Sequence, residues 1–177
     1  MQGFLNFITG PSEEAVNLRR KNIFKIIPMT NPDGVIVGNY RTGLEGNDLN
    51  RRFTNPSPKL HPIVVAIRKL LSDINKRSTE LYPICSFVDI HGHSRKKSVF
   101  MYGPEYALYS NKYFKMRILP KLLDEQSAAF RYHSCKFRVE KAKLSTARVV
   151  VNKEFGVMSC FTLEASMHGY INEDRKT

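Results

Sequence analysis

A histidine at the end of an apolar run is the side chain of this sequence best placed for chemistry. Residues 87–90 lead directly into His91, and Gly92 follows it. Such a run predicts a buried strand with His91 at its carboxyl end. Open α/β sheets bind ligands at that end of their strands. An imidazole held there can ligate a metal, carry a proton or donate a hydrogen bond, and the residues alone leave these three roles open.

Three further clusters carry charged side chains with chemical potential. Arg41, Asn50 and Arg51 lie in a long polar loop, and guanidinium groups beside an amide suit a carboxylate ligand. Glu164 ends a second apolar run, and a carboxylate placed against a metal-bound water acts as a general base. The third cluster is the basic segment 141–148. Each cluster also has a non-functional interpretation. The loop arginines could pair with acids of the same loop, Glu164 could be exposed or paired with a lysine, and segment 141–148 could be a solvated basic face.

Alternating strands and helices must position these side chains. Apolar runs predict strands at 23–29, 87–91, 98–103, 148–151 and 157–163. Helical spacing predicts helices at 1–8, after an N-cap at Ser12, at 63–74 and across 105–130, the last interrupted by Pro120. Residues 31–34 signal a turn, and 38–55 form a polar loop. The pattern predicts an α/β fold with a mixed, mainly parallel sheet and helices on both faces.

Composition narrows the class of protein. The 177 residues suit one domain, and no window approaches the ~20 apolar residues of a membrane span. The net charge of +12 attracts polyanions, although no recognised nucleic-acid module is present. The amino end lacks the features of a secretory signal. Three cysteines without CxxC spacing favour free thiols in a reducing compartment, so a cytosolic location is expected.

Taken in order, five stretches resemble the M14-type zinc metallocarboxypeptidases, and among them the cytosolic carboxypeptidases that remove glutamates from protein tails. The stretches are TNPDG at 30–34, GNYRTG at 38–43, DLNRRF at 48–53, DIHGHS at 89–94 and FTLEAS at 161–166. Each stretch alone is weak evidence for the family. Five in the same order are specific evidence, and they run through nearly the whole chain. The resemblance implies that residues 1–177 are part of a zinc carboxypeptidase catalytic domain that lacks the first strands of the sheet.

The resemblance also implies roles at matching positions. His91 would be a zinc ligand, and Glu164 would be the general base that takes a proton from zinc-bound water and passes it to the leaving amine. Arg41 would polarise the scissile carbonyl and stabilise the oxyanion. Asn50 and Arg51 would bind the terminal α-carboxylate of the substrate.

A preference for acidic substrates follows less directly. Arg148 lies near the position where relatives line the floor of the side-chain pocket, and a guanidinium there suits a C-terminal glutamate; the alternative is a surface arginine. The implied partners are acidic protein tails, such as those of tubulin, attracted by the positive net charge. The implied location is the cytoplasm, with the cytoskeleton as one site. Neither a membrane nor a nucleic acid is an expected partner.

The sequence departs from the family pattern at the metal site. The other two zinc ligands of the family come from an H-x-x-E motif upstream of the first matching stretch. The residues three positions after the histidines of this chain are Val64, Ser94, Lys96, Lys136 and Ile171, and none is glutamate. The chain is therefore expected to begin after that motif and to bind zinc poorly alone, since catalytic zinc sites use three protein ligands.

Two other classes of function compete with the enzyme. The first is a non-catalytic module that keeps the carboxylate-binding side chains of the fold and binds acidic tails. The second is a basic nucleic-acid-binding protein, which rests on charge alone. An upstream H-x-x-E motif favours the enzyme, and steeply salt-dependent binding to DNA would favour the nucleic-acid binder.

Overall fold

The computed structural model describes residues 1–81 and 83–170, which divide into two compact units, residues 1–44 and the part that follows. No helix in the described ranges combines the length and the apolar character needed to cross a bilayer.

The first unit contains three helices. Helix α1 spans Gln2–Thr9, α2 spans Glu13–Lys21 and α3 spans Pro32–Ile36. As predicted, Ser12 caps α2, because its side chain accepts a hydrogen bond from the backbone N–H of Ala15. The Arg19 guanidinium donates to the carbonyls of Ile8 and Gly10, and these bonds tie the end of α1 to α2.

The second unit is built on a three-stranded sheet in the order β1-β3-β2. Strand β1 spans Ser86–His93, β2 spans Val99–Tyr102 and β3 spans Ser159–Ser166. Strands β1 and β3 are parallel, whereas β2 and β3 are antiparallel. The sheet is therefore mixed, as predicted, and its parallel ladder is the longer one, with eight paired positions against four in the antiparallel ladder.

Helices cover both faces of this sheet. Helices α4 (Pro62–Arg77) and α6 (Ala147–Phe155) pack with Cys160 and Phe87 on one face, and α5 (Asn111–Gln126) packs with Met101 and Phe161 on the other. Because side chains alternate along a strand, the two apolar layers account for both faces of β3. Beyond Cys160, the residues of β3 on the α4/α6 face are polar: Thr162, Glu164 and Ser166. Glu164 is the one that contributes to the site.

Three strand and turn predictions were wrong. Residues 148–151 belong to helix α6, whose first five residues are all buried. Burial outweighs the weak preference of valine for strands, and Gly156, with a positive φ of 69°, ends the helix. Residues 23–29 form no strand, since a strand needs a paired neighbour and the first unit supplies none among the described residues. Residues 31–34 begin helix α3 instead of a simple turn, because the side chain of Asn31 caps it.

The remaining elements were predicted correctly in kind, but β1 is not the buried strand that was expected. It lies at an edge of the sheet, and its residues are exposed or half-buried, because among the described residues one of its faces has no covering layer over Val88 and Ile90. The helices at 1–8 and 63–74 and the strands at 87–91, 98–103 and 157–163 are present with small shifts of boundary. The helix predicted across 105–130 is shorter, Asn111–Gln126, and Pro120 does not interrupt it. Pro120 is buried in α5, so the contacts that it makes there offset the loss of one backbone hydrogen bond.

Two paired residues of the sheet test the position of this core. Phe161 is 0% exposed, whereas its partner Val88 on β1 is 41% exposed. We expect Phe161→Ala to lower the free energy of unfolding by about 3–5 kcal/mol through a core cavity. The control Val88→Ala should cost less than about 1 kcal/mol. Chemical denaturation of the two variants measures both values, and equal costs would contradict the described packing.

Candidate active site

The two residues predicted to act at a metal face each other on neighbouring strands. In the parallel ladder His91 of β1 pairs with Glu164 of β3, and Asp89 pairs with Thr162. Side chains two residues apart on a strand share a face, so Asp89, His91 and Glu164 project on the same side. They lie toward the carboxyl ends of the two strands, beyond the apolar layer that contains Phe87 and Cys160.

The carboxylate of Asp89 accepts a hydrogen bond from the imidazole of His91. Its Oδ2 atom lies 2.7 Å from Nε2 of His91, and both side chains are partly exposed. Burial alone would lower the pKa of His91, but the hydrogen bond that the ring donates to Asp89 and the charges of Asp89, Glu164 and Asp48 together raise that pKa above its usual value. The ring is therefore oriented by one carboxylate, and its charged form is stabilised by three.

Asn50 joins three parts of the second unit. It lies in the short 3-10 helix Leu49–Arg51, whose N-cap Asp48 accepts a hydrogen bond from the backbone N–H of Asn50. Its Nδ2 atom donates to Oδ2 of Asp89 at 3.0 Å, and its Oδ1 atom accepts from the backbone N–H of Ala147 at 2.8 Å. The amide thereby caps the first turn of α6 and links it to β1.

The cations of the site are Arg51 and Arg148. One guanidinium nitrogen of Arg51 donates to the carbonyl of Asn50, and the same nitrogen lies 3.8 Å from the carboxylate of Asp48. The charge of Arg51 contributes to lowering the pKa of Arg148, so the two guanidiniums interact electrostatically. Two neighbouring cations create a local positive potential that favours an anionic ligand.

Arg148 is the more unusual of the two because it is only 5% exposed. Burial lowers its pKa, although Tyr102, Asp89 and Glu164 act in the opposite direction. Its Cζ atom lies 5.7 Å from the centre of the Tyr102 ring. Its buried Nη1 atom has no hydrogen-bond partner among the described residues. An unpartnered N–H on a buried cation is costly, and an anionic ligand would satisfy it.

Glu164 is 9% exposed. Burial raises the pKa of its carboxyl group, while the positive charges of His91, His93 and Lys143 lower it. A carboxyl group with a raised pKa binds a proton closer to neutral pH than an ordinary glutamate does. That property suits a group that accepts and returns a proton during a reaction.

Two other sequence candidates, Arg41 and the basic segment 141–148, have different surroundings, and so does His93, which lies two positions after His91. Arg41 belongs to the first unit, where its guanidinium lies 5.7 Å from the centre of the Tyr40 ring. The Nδ1 atom of His93 accepts hydrogen bonds from the backbone N–H groups of Arg95 and Lys96, and its ring packs edge-on to Phe100. The basic segment 141–148 is a 3-10 turn followed by the start of α6, instead of the predicted loop or strand edge.

The described residues do not by themselves fit a catalytic zinc ion. His91 contributes one imidazole, and His93 uses Nδ1 for local backbone contacts. No group of three or more His, Cys, Asp or Glu side chains suited to hold a metal ion occurs in residues 1–81 and 83–170. Because a catalytic zinc site needs about three protein ligands, the residues that the structure describes supply too few.

Comparison with known proteins gives the same family as the sequence stretches. No family model matches the chain. Over 96% of its length the chain is 45% identical to cytosolic carboxypeptidase 1 of Danio rerio and 43% identical to that of Homo sapiens. It spans only 15% and 14% of those two proteins. A metallo-carboxypeptidase from Burkholderia cenocepacia superposes with a TM-score of 0.79 at 24% identity, covering 97% of this chain and 44% of that one.

The second unit and its site thus lie in a chain with the fold of the metallocarboxypeptidases, a class of peptide hydrolases whose name implies a bound metal. Within that class the chain belongs with the cytosolic carboxypeptidases. The family inferred from five short stretches is confirmed.

Sequence reasoning missed Asp89 and Tyr102. Both had a usable signal, because a residue two positions from another on a strand shares its face. Asp89 precedes His91 by two positions on β1, and Tyr102 lies two positions from Phe100, the β2 partner of Glu164. What could not be seen in the sequence was which strands are neighbours.

The raised pKa of Glu164 predicts how stability depends on pH. Because the folded-state pKa lies above the unfolded value, this carboxyl favours folding at low pH, and its contribution is lost as pH rises through the folded pKa. We expect Glu164→Gln to be more stable than the parent chain at pH 8, by on the order of 1 kcal/mol. The difference should disappear near pH 4. Denaturant titrations at both values measure it, and a glutamine variant less stable at pH 8 would contradict the burial argument.

Proposed function

We propose that this chain is the substrate-binding and proton-transfer part of a metallocarboxypeptidase that removes C-terminal residues, chiefly glutamates, from acidic polypeptides. One observation carries the proposal. His91, Glu164 and Arg148 belong to one electrostatic cluster with Asn50 and Arg51. Glu164 and Arg148 are buried, and the Nη1 atom of Arg148 has no partner in the part of the chain that the structure describes. A carboxypeptidase needs a proton acceptor together with cations that recognise a chain end.

In the proposed reaction each side chain has one task. Asn50 and Arg51 bind the terminal α-carboxylate of the substrate and thereby measure the chain end. Glu164 takes a proton from the attacking water and passes it to the leaving amine. Arg41 polarises the scissile carbonyl and stabilises the oxyanion. For Arg41 the support is the matching GNYRTG stretch.

The proposed reaction also needs a metal ion, which requires more ligands than these residues provide. We propose zinc as the metal, with His91 as one ligand and two further ligands from polypeptide outside the 177 residues. The proportions of the relatives support this, because the chain corresponds to 44% of a metallo-carboxypeptidase and to about one-seventh of the cytosolic carboxypeptidases. Alone, the chain is expected to hold zinc weakly and to hydrolyse little.

Arg148 is the proposed source of acidic specificity. A buried guanidinium can bind the side-chain carboxylate of a C-terminal glutamate through its unpartnered Nη1. The positive net charge of +12 would raise the local concentration of an acidic tail, such as the glutamate-rich ends of tubulin. The proposed setting is the cytosol, in line with the names of the relatives, and includes the cytoskeleton.

A non-catalytic module that binds acidic tails is the second candidate. The described residues contain too few metal ligands for a catalytic site, and this favours the binding module. The module requires only Asn50, Arg51 and Arg148. Such a module would bind a glutamate-ended peptide without cleaving it, whether or not zinc is present.

Metal content and hydrolysis separate the two candidates. The chain alone is compared with the same chain extended through the upstream reading frame. For the enzyme, we expect the extended form to contain an H-x-x-E motif, to retain one zinc per chain after dialysis and to release glutamate from a glutamate-ended peptide. The chain alone should retain less zinc. Peptide binding without hydrolysis in an extended, zinc-loaded form would support the binding module instead.

Arg148 is tested by replacement with an apolar residue of similar length. We expect Arg148→Met in the active, extended protein to lower kcat/KM for glutamate-ended peptides by about 10-fold or more, as is typical when a charged hydrogen bond is lost. Cleavage of leucine-ended peptides should change little. Arg138→Met, an arginine outside the site, is the control. Equal loss on both peptides would remove Arg148 from the specificity pocket.

A further inference from the structure

The carboxylate of Asp89 contacts two functional side chains at once. Its Oδ2 atom lies 2.7 Å from Nε2 of His91 and 3.0 Å from Nδ2 of Asn50. The Asn50 amide and the His91 ring are themselves only 3.2 Å apart. The three side chains form a triangle in which Asp89 accepts from both of the others.

These distances determine which ring nitrogen carries the proton. Two acceptor atoms do not remain 2.7 Å apart without a hydrogen between them, so the pair requires a proton on Nε2 of His91. The adjacent Asn50 Nδ2 is a donor and cannot replace this proton. A neutral His91 ring therefore has its lone pair on Nδ1, which is the nitrogen left to face a ligand.

The same triangle reaches the substrate-binding residues. Asn50 is held at its other end by the backbone N–H of Ala147, next to Arg148, and its own backbone is capped by Asp48. Movement of the Asn50 amide toward a substrate carboxylate must change its bond to Asp89. That change would alter the partner of the His91 ring.

We propose that Asp89 is a positioning residue that couples the carboxylate-binding Asn50 to the orientation and tautomer of His91. The inference rests on the proposed function, because it takes Asn50 as a substrate-binding residue. Its consequence is that occupation of the site by a C-terminal carboxylate and alignment of His91 are linked through one shared acceptor. Asp89 itself contacts neither the substrate nor the reacting atoms.

Nitrogen-15 NMR of the histidine rings in the metal-free, 177-residue chain tests the coupling without any turnover. At pH 9 we expect a single neutral tautomer of His91 with its proton on Nε2. In Asp89→Ala the Nε2 atom is left beside the Asn50 donor at about hydrogen-bond distance. The proton should then move to Nδ1, giving a switch of tautomer. The control is Asp73→Ala, which removes a carboxylate of helix α4. It should leave the tautomer of the His91 ring unchanged.

A second measurement uses the peptide acetyl-Glu-Glu as the probe. We expect it to shift the Asn50 side-chain amide and the His91 ring together in the parent chain. In Asp89→Ala the peptide should shift Asn50 alone and bind about 3- to 10-fold more weakly, as when one hydrogen bond is lost. If Asp89→Ala does not fold, Asp89→Leu, which is of similar size and has no acceptor, is used for the peptide titration with the same expectations.

The results that overturn the inference are distinct from those that overturn the proposed function. A parent chain with the proton of His91 on Nδ1 would refute the coupling, without reference to any variant. So would a peptide-induced shift of the His91 ring that persists unchanged without the Asp89 carboxylate. Failure of the extended protein to hydrolyse peptides would refute the enzyme, yet the tautomer and titration results would still decide the role of Asp89.

Discussion

The register of the parallel ladder between β1 and β3 is the constraint on which the rest of the second unit depends. It sets His91 beside Glu164 and Asp89 beside Thr162, so the polar side chains of two distant segments meet at one end of the sheet. A slip of one residue would turn each of these side chains to the opposite face. The apolar layer of Phe87 and Cys160 prevents that slip, because it must pack against α4 and α6.

Charge placement at the site follows from this register. The partly exposed Asp89 and His91 and the buried Glu164 and Arg148 influence one another electrostatically. Burying any one of them alone would be costly, and their proximity offsets part of that cost. Two features are not compensated: burial raises the pKa of the Glu164 carboxyl group, and among the described residues one N–H of Arg148 lacks an acceptor. Both features are consistent with the proposed role of the site.

The sequence supported a good share of these conclusions. Short apolar runs that end in polar residues predicted β1 and β3, and their terminal residues predicted the site. The run at 148–151 was misread because β-branched residues favour strands only weakly, and burial of the first five residues of α6 decided otherwise. The run at 23–29 failed for the opposite reason, since strand propensity has no effect without a neighbouring strand. Asp89 was overlooked because a carboxylate within an apolar run looks unremarkable until its partners are known.

By itself the sequence determined the family, the types of side chain and their order along the chain. It also showed that the chain's histidines include no H-x-x-E motif, which is a property of spacing alone. Only the tertiary structure decided that Asn50, from a loop 39 positions before Asp89, caps helix α6 and contacts β1 at the same time. The physical reason is that hydrogen-bond partners distant in sequence are chosen by packing and by strand register, and neither is encoded in local spacing.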